Sequence, residues 1–221
     1  MAKVFFKKVL PGIYTGTEYK TILRFPFDMI VVKTEEQLTL IDPLEPDAAG
    51  FRHLESYGTP TTVLLTSDMH ERAADVYRQR YHTRVLAHAD AIPRCKVTID
   101  GTLTDGEKLP GGITVIALPG TLAGMVSFWL DRLGGVLVVG DIFLQEDFSQ
   151  MSWLAAKVSQ WLFQVRDKVV TPFPLKWADD PAAAVKSVRR LLDWQFEALL
   201  VTHGIPLLNG ARDAVAQNLP G

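Results

Sequence analysis

The stretch from Val63 to Arg72 constrains the fold most, because an apolar strand runs there into a polar corner and then a helix. Val63 to Leu65 is an apolar run typical of a buried strand, and residues 73–81 follow with a helical pattern. In open α/β sheets, ligands bind at the loops that follow the carboxyl ends of strands. The corner at residues 67–72 is therefore the first candidate for a functional site.

Short β-branched and aromatic runs on both sides of this corner predict two groups of strands. The predicted strands are 4–9, 12–16, 21–25, 29–33, 37–41, 62–66, 84–88, 97–99, 107–109, 113–118, 126–130, 135–139 and 198–202. The predicted helices are 46–57, 72–81, 149–167, 181–194 and 211–217. Two sheets with helices outside hide all these apolar faces most simply, so we expect one domain over residues 1–221.

Composition narrows the possible partners and the cellular location. The 221 residues carry a net charge of only −2, which excludes a broad basic face for nucleic acid. No apolar run reaches the roughly 18 residues of a membrane span, and the N-terminus lacks the features of a signal peptide. A single cysteine, Cys95, fits a reducing compartment. We therefore expect a cytoplasmic protein that binds neither nucleic acid nor membrane.

Five landmarks occur in one order along the chain. They are Leu40-Ile41-Asp42, the strand–corner–helix at 63–81, Leu118-Pro119-Gly120-Thr121, Val139-Gly140-Asp141 and Thr202-His203-Gly204. With these landmarks the chain resembles the metallo-β-lactamase superfamily over nearly its whole length. The resemblance implies an α/β fold, a four-layered αββα sandwich, with an active-site groove along one edge.

The resemblance also implies where a metal site would lie. In metal-binding members the corner reads His-x-His-x-Asp-His, a later Pro-Gly-His adds a ligand, an Asp bridges two metals and a final His closes the site. Such imidazole and carboxylate ligands suit zinc or iron. The metal lowers the pKa of a bound water and so supplies a hydroxide for hydrolysis.

This corner departs from the family motif at every ligand position. Ser67 and Met69 stand in place of the first two histidines, and Glu71 stands in place of the aspartate. Arg72 replaces the third histidine with a permanent cation, which repels a divalent ion. A hydroxyl and a thioether are both poor zinc ligands.

The later landmarks keep only part of the ligand set. Thr121 replaces the histidine of the Pro-Gly-His motif, whereas Asp141 and His203 remain as ligand types. Two ligands are too few for the usual dinuclear site. The sequence therefore predicts a dismantled metal site with no cofactor, and not a standard metallo-hydrolase.

Two other alignments of the corner stay open. In one, His70 takes the place of a family histidine, and the corner resembles a subset of the superfamily with a Ser/Asn-x-Asp-His-x-Arg-like sequence. Ser67, His70 and Arg72 match that corner, but Met69 does not supply its acid. In the other, Asp68 and His70 join Asp141 and His203 in a mononuclear site for one zinc or iron ion.

We expect Arg72 to replace the metal charge by pairing with Asp141 and with Asp42, because an unpaired carboxylate in a half-buried groove is costly. The groove would take a small-molecule or anionic ligand. Its predicted lining is Asp42, Ser67, His70, Arg72, Thr121, Asp141 and His203.

Three functions remain possible from the sequence. The first is a metal-free binding or interaction module, and the second is a hydrolase with the mononuclear site. The third is a metal-free enzyme in which His70 or His203 is a general base and Arg72 stabilises an anion, which makes these three the catalytic candidates. No Gly-rich phosphate loop or Gly-x-Ser-x-Gly motif is present, which argues against kinases and serine hydrolases.

An aromatic segment at residues 153–177 needs a separate explanation. Leu154, Val158, Trp161, Leu162 and Val165 recur at helical spacing, with Trp153 and Phe163 in the same segment, and Trp177 follows a Pro-rich loop. Core packing is the leading interpretation. A cover over the groove or a homodimer interface is the alternative, because exposed aromatic patches usually mark interfaces.

Overall fold

The computed structural model describes residues 3–20, 24–122 and 124–219. Its strands are β1 Phe5–Leu10, β2 Ile13–Lys20, β3 Phe25–Thr34, β4 Gln37–Ile41, β5 Thr59–Leu64, β6 Arg84–His88, β7 Gly101–Leu103, β8 Lys108–Leu109, β9 Ile113–Ala117, β10 Val126–Leu130, β11 Val136–Val139, β12 Phe143–Leu144, β13 Thr171–Pro172 and β14 Ala198–Val201. The helices are α1 Ala48–Glu55, α2 Ala74–Tyr81, α3 Trp153–Val158, α4 Pro181–Arg190 and α5 Ala211–Asn218.

Two large sheets form the centre of the molecule. The first has the order β1-β2-β3-β4-β5-β6-β7, and the second has the order β14-β11-β10-β9-β8. Strands β1 to β4 pair antiparallel, whereas β4 to β7 pair parallel, as do β11 and β14. The parallel strands of both sheets therefore end in loops that can hold a site.

Apolar side chains pack in three layers, which account for the four-layered αββα arrangement predicted from the sequence. Ile30 and Leu64 of the first sheet share one core with Val115 and Phe128 of the second. A second core lies on the outer face of the first sheet, under α1 and α2, and a third lies on the outer face of the second sheet, under α4 and α5. Alternate residues of a strand face opposite sides, so each sheet contributes to two cores.

The structure contains three short strands that the sequence did not predict, β7, β12 and β13, and three predicted regions differ in length or type. In the N-terminal region β2 and β3 are long strands, in place of the three short strands predicted, and residues 21–23 of the predicted strand 21–25 lie outside the described residues. Residues 97–99 are not a strand: Val97 and Ile99 pack against the outer core, and the Val97 amide donates to the Glu71 carboxylate. The predicted helix 149–167 is shorter, because α3 passes into a π-helical turn, Ser159–Phe163, that ends at Gln164 with positive φ.

Within the described residues, no helix has both the length and the apolar character that crossing a bilayer requires.

The aromatic segment is mostly exposed, so the prediction of core packing is wrong for its tryptophans. Trp153 is 78% exposed and Trp161 is 85% exposed, and Leu154, Val158 and Leu162 are also exposed. Ala155 and Ser159, on the opposite face, are buried. The helical pattern at these positions therefore marks an apolar face that is turned outward.

Replacing Trp161 by serine should leave the free energy of unfolding of the monomer within about 0.5 kcal/mol of the parent, because the side chain has little burial to lose. If this face joins two copies, the same change should convert a dimer to a monomer in light scattering. Phe143→Ala, in the buried core, is the matched destabilising control. A loss of several kcal/mol for the Trp161 variant would contradict the exposed position.

Candidate functional site

Four strand ends bring the polar landmarks together. Asp42 follows β4, the corner follows β5, Asp141 follows β11 and His203 follows β14. Because β4 and β5 are parallel, and β11 and β14 are parallel, their carboxyl ends meet at one edge of the sandwich. Gly140 allows the close approach, since a Cβ there would collide with the Thr66 hydroxyl.

His70 is buried and held by the end of β4. Its Nδ1 lies 2.7 Å from Asp42 Oδ2 and 2.8 Å from Thr66 Oγ1. Asp42 also accepts hydrogen bonds from the Thr66 amide at 2.8 Å and from the Thr66 hydroxyl at 2.5 Å. A carboxylate only accepts hydrogen bonds, so Nδ1 of His70 carries a proton and its Nε2 faces Asp141.

His203 is oriented in the same way by a backbone carbonyl. Its Nδ1 donates to the carbonyl oxygen of Pro26 at 2.9 Å, and its ring packs edge-on against Phe27 with the centroids 4.9 Å apart. The Nε2 atom is therefore directed toward Asp141. Neither Pro26 nor Phe27 stood out in the sequence, because a carbonyl acceptor leaves no sequence signal.

Asp141 lies between the two imidazoles. Its Oδ1 is 3.1 Å from His70 Nε2 and 3.0 Å from His203 Nε2, and the three ligand atoms lie within 4.8 Å of one another. This oxygen is buried and, within the described residues, has no hydrogen bond of acceptable geometry. Three potential ligand atoms thus converge, and Asp141 Oδ1 contacts both imidazoles without a well-aligned hydrogen bond to either. We call His70, Asp141 and His203 the triad.

The pKa values at the site follow from this geometry. Burial lowers the pKa of His70, but the carboxylates of Asp42 and Asp141 outweigh that effect and raise it to about 9. Burial raises the pKa of Asp141, but the two imidazoles hold it well below its usual range. Without a bound cation, a protonated His70 is thus the partner of both carboxylates.

Arg72 does not make the predicted ion pairs. Among the described residues, no carboxylate of Asp42 or Asp141 lies within 4 Å of its guanidinium; instead Nη1 donates to the Asp28 carbonyl at 3.3 Å. The guanidinium lies over the Phe27 ring at 4.9 Å, and its Nη2 is 3.4 Å from His203 Nε2. His70, and not Arg72, pairs with both acids.

The backbone of the corner is strained at Arg72. Arg72 has a φ of 25°, which L-residues rarely adopt, and the preceding turn Asp68–His70 is a short 3-10 helix. Such strain persists only where the surrounding contacts hold it, and it is common at functional sites. The strained turn directs His70 inward and leaves Met69 exposed.

The remaining predicted residues lie outside the triad. Ser67 is buried beside the corner, and its hydroxyl has no hydrogen-bond partner among the described residues. Thr121 donates to the Leu118 carbonyl at 2.6 Å and lines a different cavity. Glu71 accepts from the amides of Lys96 and Val97, so it holds a loop. Asp68 is only partly buried and is not among the converging ligands.

The αββα sandwich and the cluster of histidines and a carboxylate at the strand ends together define a class of proteins. A comparison of the sequence with protein-family models identifies this class. Residues 8–217 match the family described as the metallo-beta-lactamase superfamily. The chain belongs to this superfamily. A search of curated proteins finds no matching relative.

Solved structures show the same fold at low sequence identity. A metallo-beta-lactamase from Pontibacter korlensis has a TM-score of 0.69 at 15% identity, covering 98% of this chain and 99% of that chain. A metallo-beta-lactamase from Erythrobacter litoralis has a TM-score of 0.64 at 15% identity, covering 98% and 91%. A mutant flavo di-iron protein from Thermotoga maritima has a TM-score of 0.70 at 14% identity, covering 99% of this chain but 62% of that one. At such identities the likeness shows the fold alone.

The three donor atoms fit the requirements of one metal ion. Two imidazole Nε2 atoms and a carboxylate oxygen are a common ligand set for zinc or iron, with positions left open for water or substrate. Each histidine has the outer hydrogen bond, to Asp42 or to Pro26, that metal-ligating imidazoles usually make. In the part of the chain that the structure describes, no second group of three such ligand atoms is found, and Ser67, Met69 and Thr121 offer no imidazole.

Proposed function

We propose that the protein is a hydrolase of the metallo-β-lactamase superfamily with a reduced, single-ion site in place of the dinuclear centre. His70 Nε2, His203 Nε2 and Asp141 Oδ1 would hold the ion. One observation carries the proposal: both imidazoles have Nδ1 engaged, so their Nε2 atoms face a buried Asp141 oxygen that lacks a hydrogen bond of acceptable geometry. An ion bound among these atoms would satisfy all three.

A bound ion supplies Lewis-acid chemistry, which polarises a substrate oxygen and lowers the pKa of water. The protein residues supply orientation. Asp42 and the Pro26 carbonyl fix the tautomers of the two imidazoles. The Arg72 guanidinium, which is held over Phe27, would bind an anionic group of the substrate.

Metal analysis tests the single-ion site directly. Protein purified without an affinity tag and reconstituted with zinc, manganese or ferrous iron should retain close to one ion per chain after desalting. His203→Ala and Asp141→Asn should each reduce the bound metal at least about tenfold, because each removes one of three ligands. Elemental analysis is the readout, and no substrate is needed.

His88→Gln provides the matched control for this experiment. His88 lies outside the triad, and its Nδ1 is 3.6 Å from the exposed Asp90 carboxylate. This variant should bind as much metal as the parent. If the folded parent retains less than about a tenth of an ion under every loading condition, the single-ion proposal is wrong.

A metal-free enzyme is the second candidate, and the position of Arg72 favours it. Its guanidinium lies 3.4 Å from His203 Nε2 and supplies a fixed positive charge beside that ligand atom. In the metal-free protein, the positive charges of protonated His70 and of Arg72 balance the negative charges of Asp42 and Asp141. His70 would act as the acid–base group, and Arg72 would stabilise an anion.

Chelator separates the two candidates. Hydrolysis of a chromogenic ester by the metal-free enzyme should continue in chelator and disappear in His70→Ala. Hydrolysis by the single-ion enzyme should stop in chelator and return when metal is added. The predicted cytoplasmic location is a separate expectation, and fractionation of the native cell would test it.

A further inference from the structure

A cavity of about 500 Å³ opens on the inner face of β1–β3. The side chains of Thr15, Thr17 and Tyr19 from β2 form its polar floor, and loops around Met151 and Ile205 form the opposite wall. Tyr19 donates to the Gln150 side chain, which ties the floor to that wall. The volume lies within the range of small-molecule sites in proteins, about 300–1,000 Å³.

This cavity is separate from the triad but shares a wall with it. None of the three triad residues lines it in the described part of the chain. Pro26, Asp28 and Gly204 do line it. On the other side, the Pro26 carbonyl accepts from His203 and the Asp28 carbonyl accepts from Arg72. A ligand in the cavity would therefore touch the residues that position the site.

The two carboxylates of the cavity wall already have partners. Asp28 is buried and accepts hydrogen bonds from the Thr17 hydroxyl and, at 3.0 Å, from the Gly204 amide. Asp147 accepts from the amide and hydroxyl of Ser149 and lies 3.5 Å from Lys168 Nζ. The oxygens of both carboxylates therefore already accept hydrogen bonds from the protein, and Asp147 also has a cationic partner.

The cavity wall also carries two cationic side chains, and these are not paired with carboxylates of the described residues. Lys7 and Arg24 both line the cavity, and neither makes an ion pair with any described residue. The Arg24 guanidinium lies 5.3 Å from the centroid of the Tyr19 ring, so it is held at the cavity wall. Free cations beside satisfied carboxylates favour an anionic ligand over a cationic one.

Apolar side chains complete the lining. Phe5 and Val9 lie on β1, and Met151, Ile205 and Pro206 belong to the opposite wall. We propose that this cavity binds a small amphipathic carboxylate, with its charged group at Lys7 and Arg24 and its apolar body against Phe5, Met151 and Ile205. The site does not depend on a metal ion in the triad.

Octanoate is a suitable probe, used below its micellar concentration with metal-free protein in isothermal titration calorimetry. We expect saturable binding of one octanoate per chain. Octylammonium has the same chain and the opposite charge, and acetate has the charge without the chain, so neither should bind comparably. Lys7→Glu should weaken octanoate binding about tenfold or more, because it removes an attractive charge and adds a repulsive one.

Lys8→Glu is the matched control, because it makes the same charge change one residue away. Lys8 pairs with Tyr14, which packs on the outer core, whereas Lys7 pairs with Thr15 on the cavity floor. Neighbouring strand residues face opposite sides of the sheet. Lys8→Glu should leave binding unchanged within about twofold.

Three results would overturn the proposal: no saturable binding, equal weakening by the two lysine variants, or octylammonium binding as tightly as octanoate. Equal weakening would place the ligand elsewhere, such as on the exposed tryptophans of the aromatic segment. Because the titration uses metal-free protein, the outcome is independent of the single-ion proposal.

Discussion

Replacing Asp42 by alanine should lower the free energy of unfolding by about 3–5 kcal/mol, the cost typical of removing one member of a buried ionic pair. Asp42 is fully buried and accepts from the Thr66 amide, the Thr66 hydroxyl and His70 Nδ1. The substitution leaves these donors buried without an acceptor. Asp42 also has a φ of 54°, which alanine adopts less readily than aspartate.

Denaturant unfolding of the metal-free protein measures this loss, and two further variants help to interpret it. Asp42→Asn keeps the tolerance of positive φ and one acceptor oxygen, so it should lose less than the alanine variant. Asp90→Ala removes an exposed acid whose carboxylate lies 3.6 Å from His88 Nδ1, and it should change stability by less than about 0.5 kcal/mol. Similar losses for Asp42→Ala and Asp90→Ala would show that Asp42 does not hold the corner.

The free energy of unfolding should fall by about 3 kcal/mol between pH 4 and pH 7 because of Asp28 alone. Burial raises the pKa of this carboxyl from 3.8 to about 6, against the opposing hydrogen bonds from Thr17 and Gly204. Between these values the folded protein holds a proton at Asp28 that the unfolded chain has lost. Stability therefore decreases as pH rises through this window. The size follows from about two pKa units at 1.36 kcal/mol each.

Asp28→Asn isolates this contribution, because the amide does not titrate. The difference in unfolding free energy between parent and variant, measured by denaturant titration across the pH range, should carry the predicted slope. Other titrating groups, such as His70, contribute to both proteins and cancel in the difference. Parallel stability curves would mean that Asp28 titrates normally in the folded protein.

Most of the fold was predictable, because it depends on local patterns. Alternating or continuous apolar runs identified most of the strands, and Asp180 followed by Pro181 correctly marked the start of α4. The predictions failed where tertiary packing, and not the local sequence pattern, determined the structure of a segment. Val97 and Ile99 look like strand residues but pack as a loop, and the helical pattern of Leu154, Val158 and Trp161 marks an exposed face.

The site was predictable as a set of residues but not as an arrangement. His70, Asp141 and His203 were all candidates, and the structure brings them together. Asp42 proved to be the partner of His70, whereas Arg72 had been expected to pair with the acids. Asp28 was missed, although a charged residue between the apolar neighbours Phe27 and Met29 in a strand was a possible signal.

By itself, the sequence determined the superfamily and the sandwich, because both depend on residue types in a fixed order. Only the tertiary structure decided which nitrogen of each histidine faces the groove, that Arg72 lies over Phe27, and that Lys7 and Arg24 line a cavity beside the site. These features depend on contacts between residues far apart in the chain, such as His203 with Pro26, and their geometry forms only when the two sheets pack.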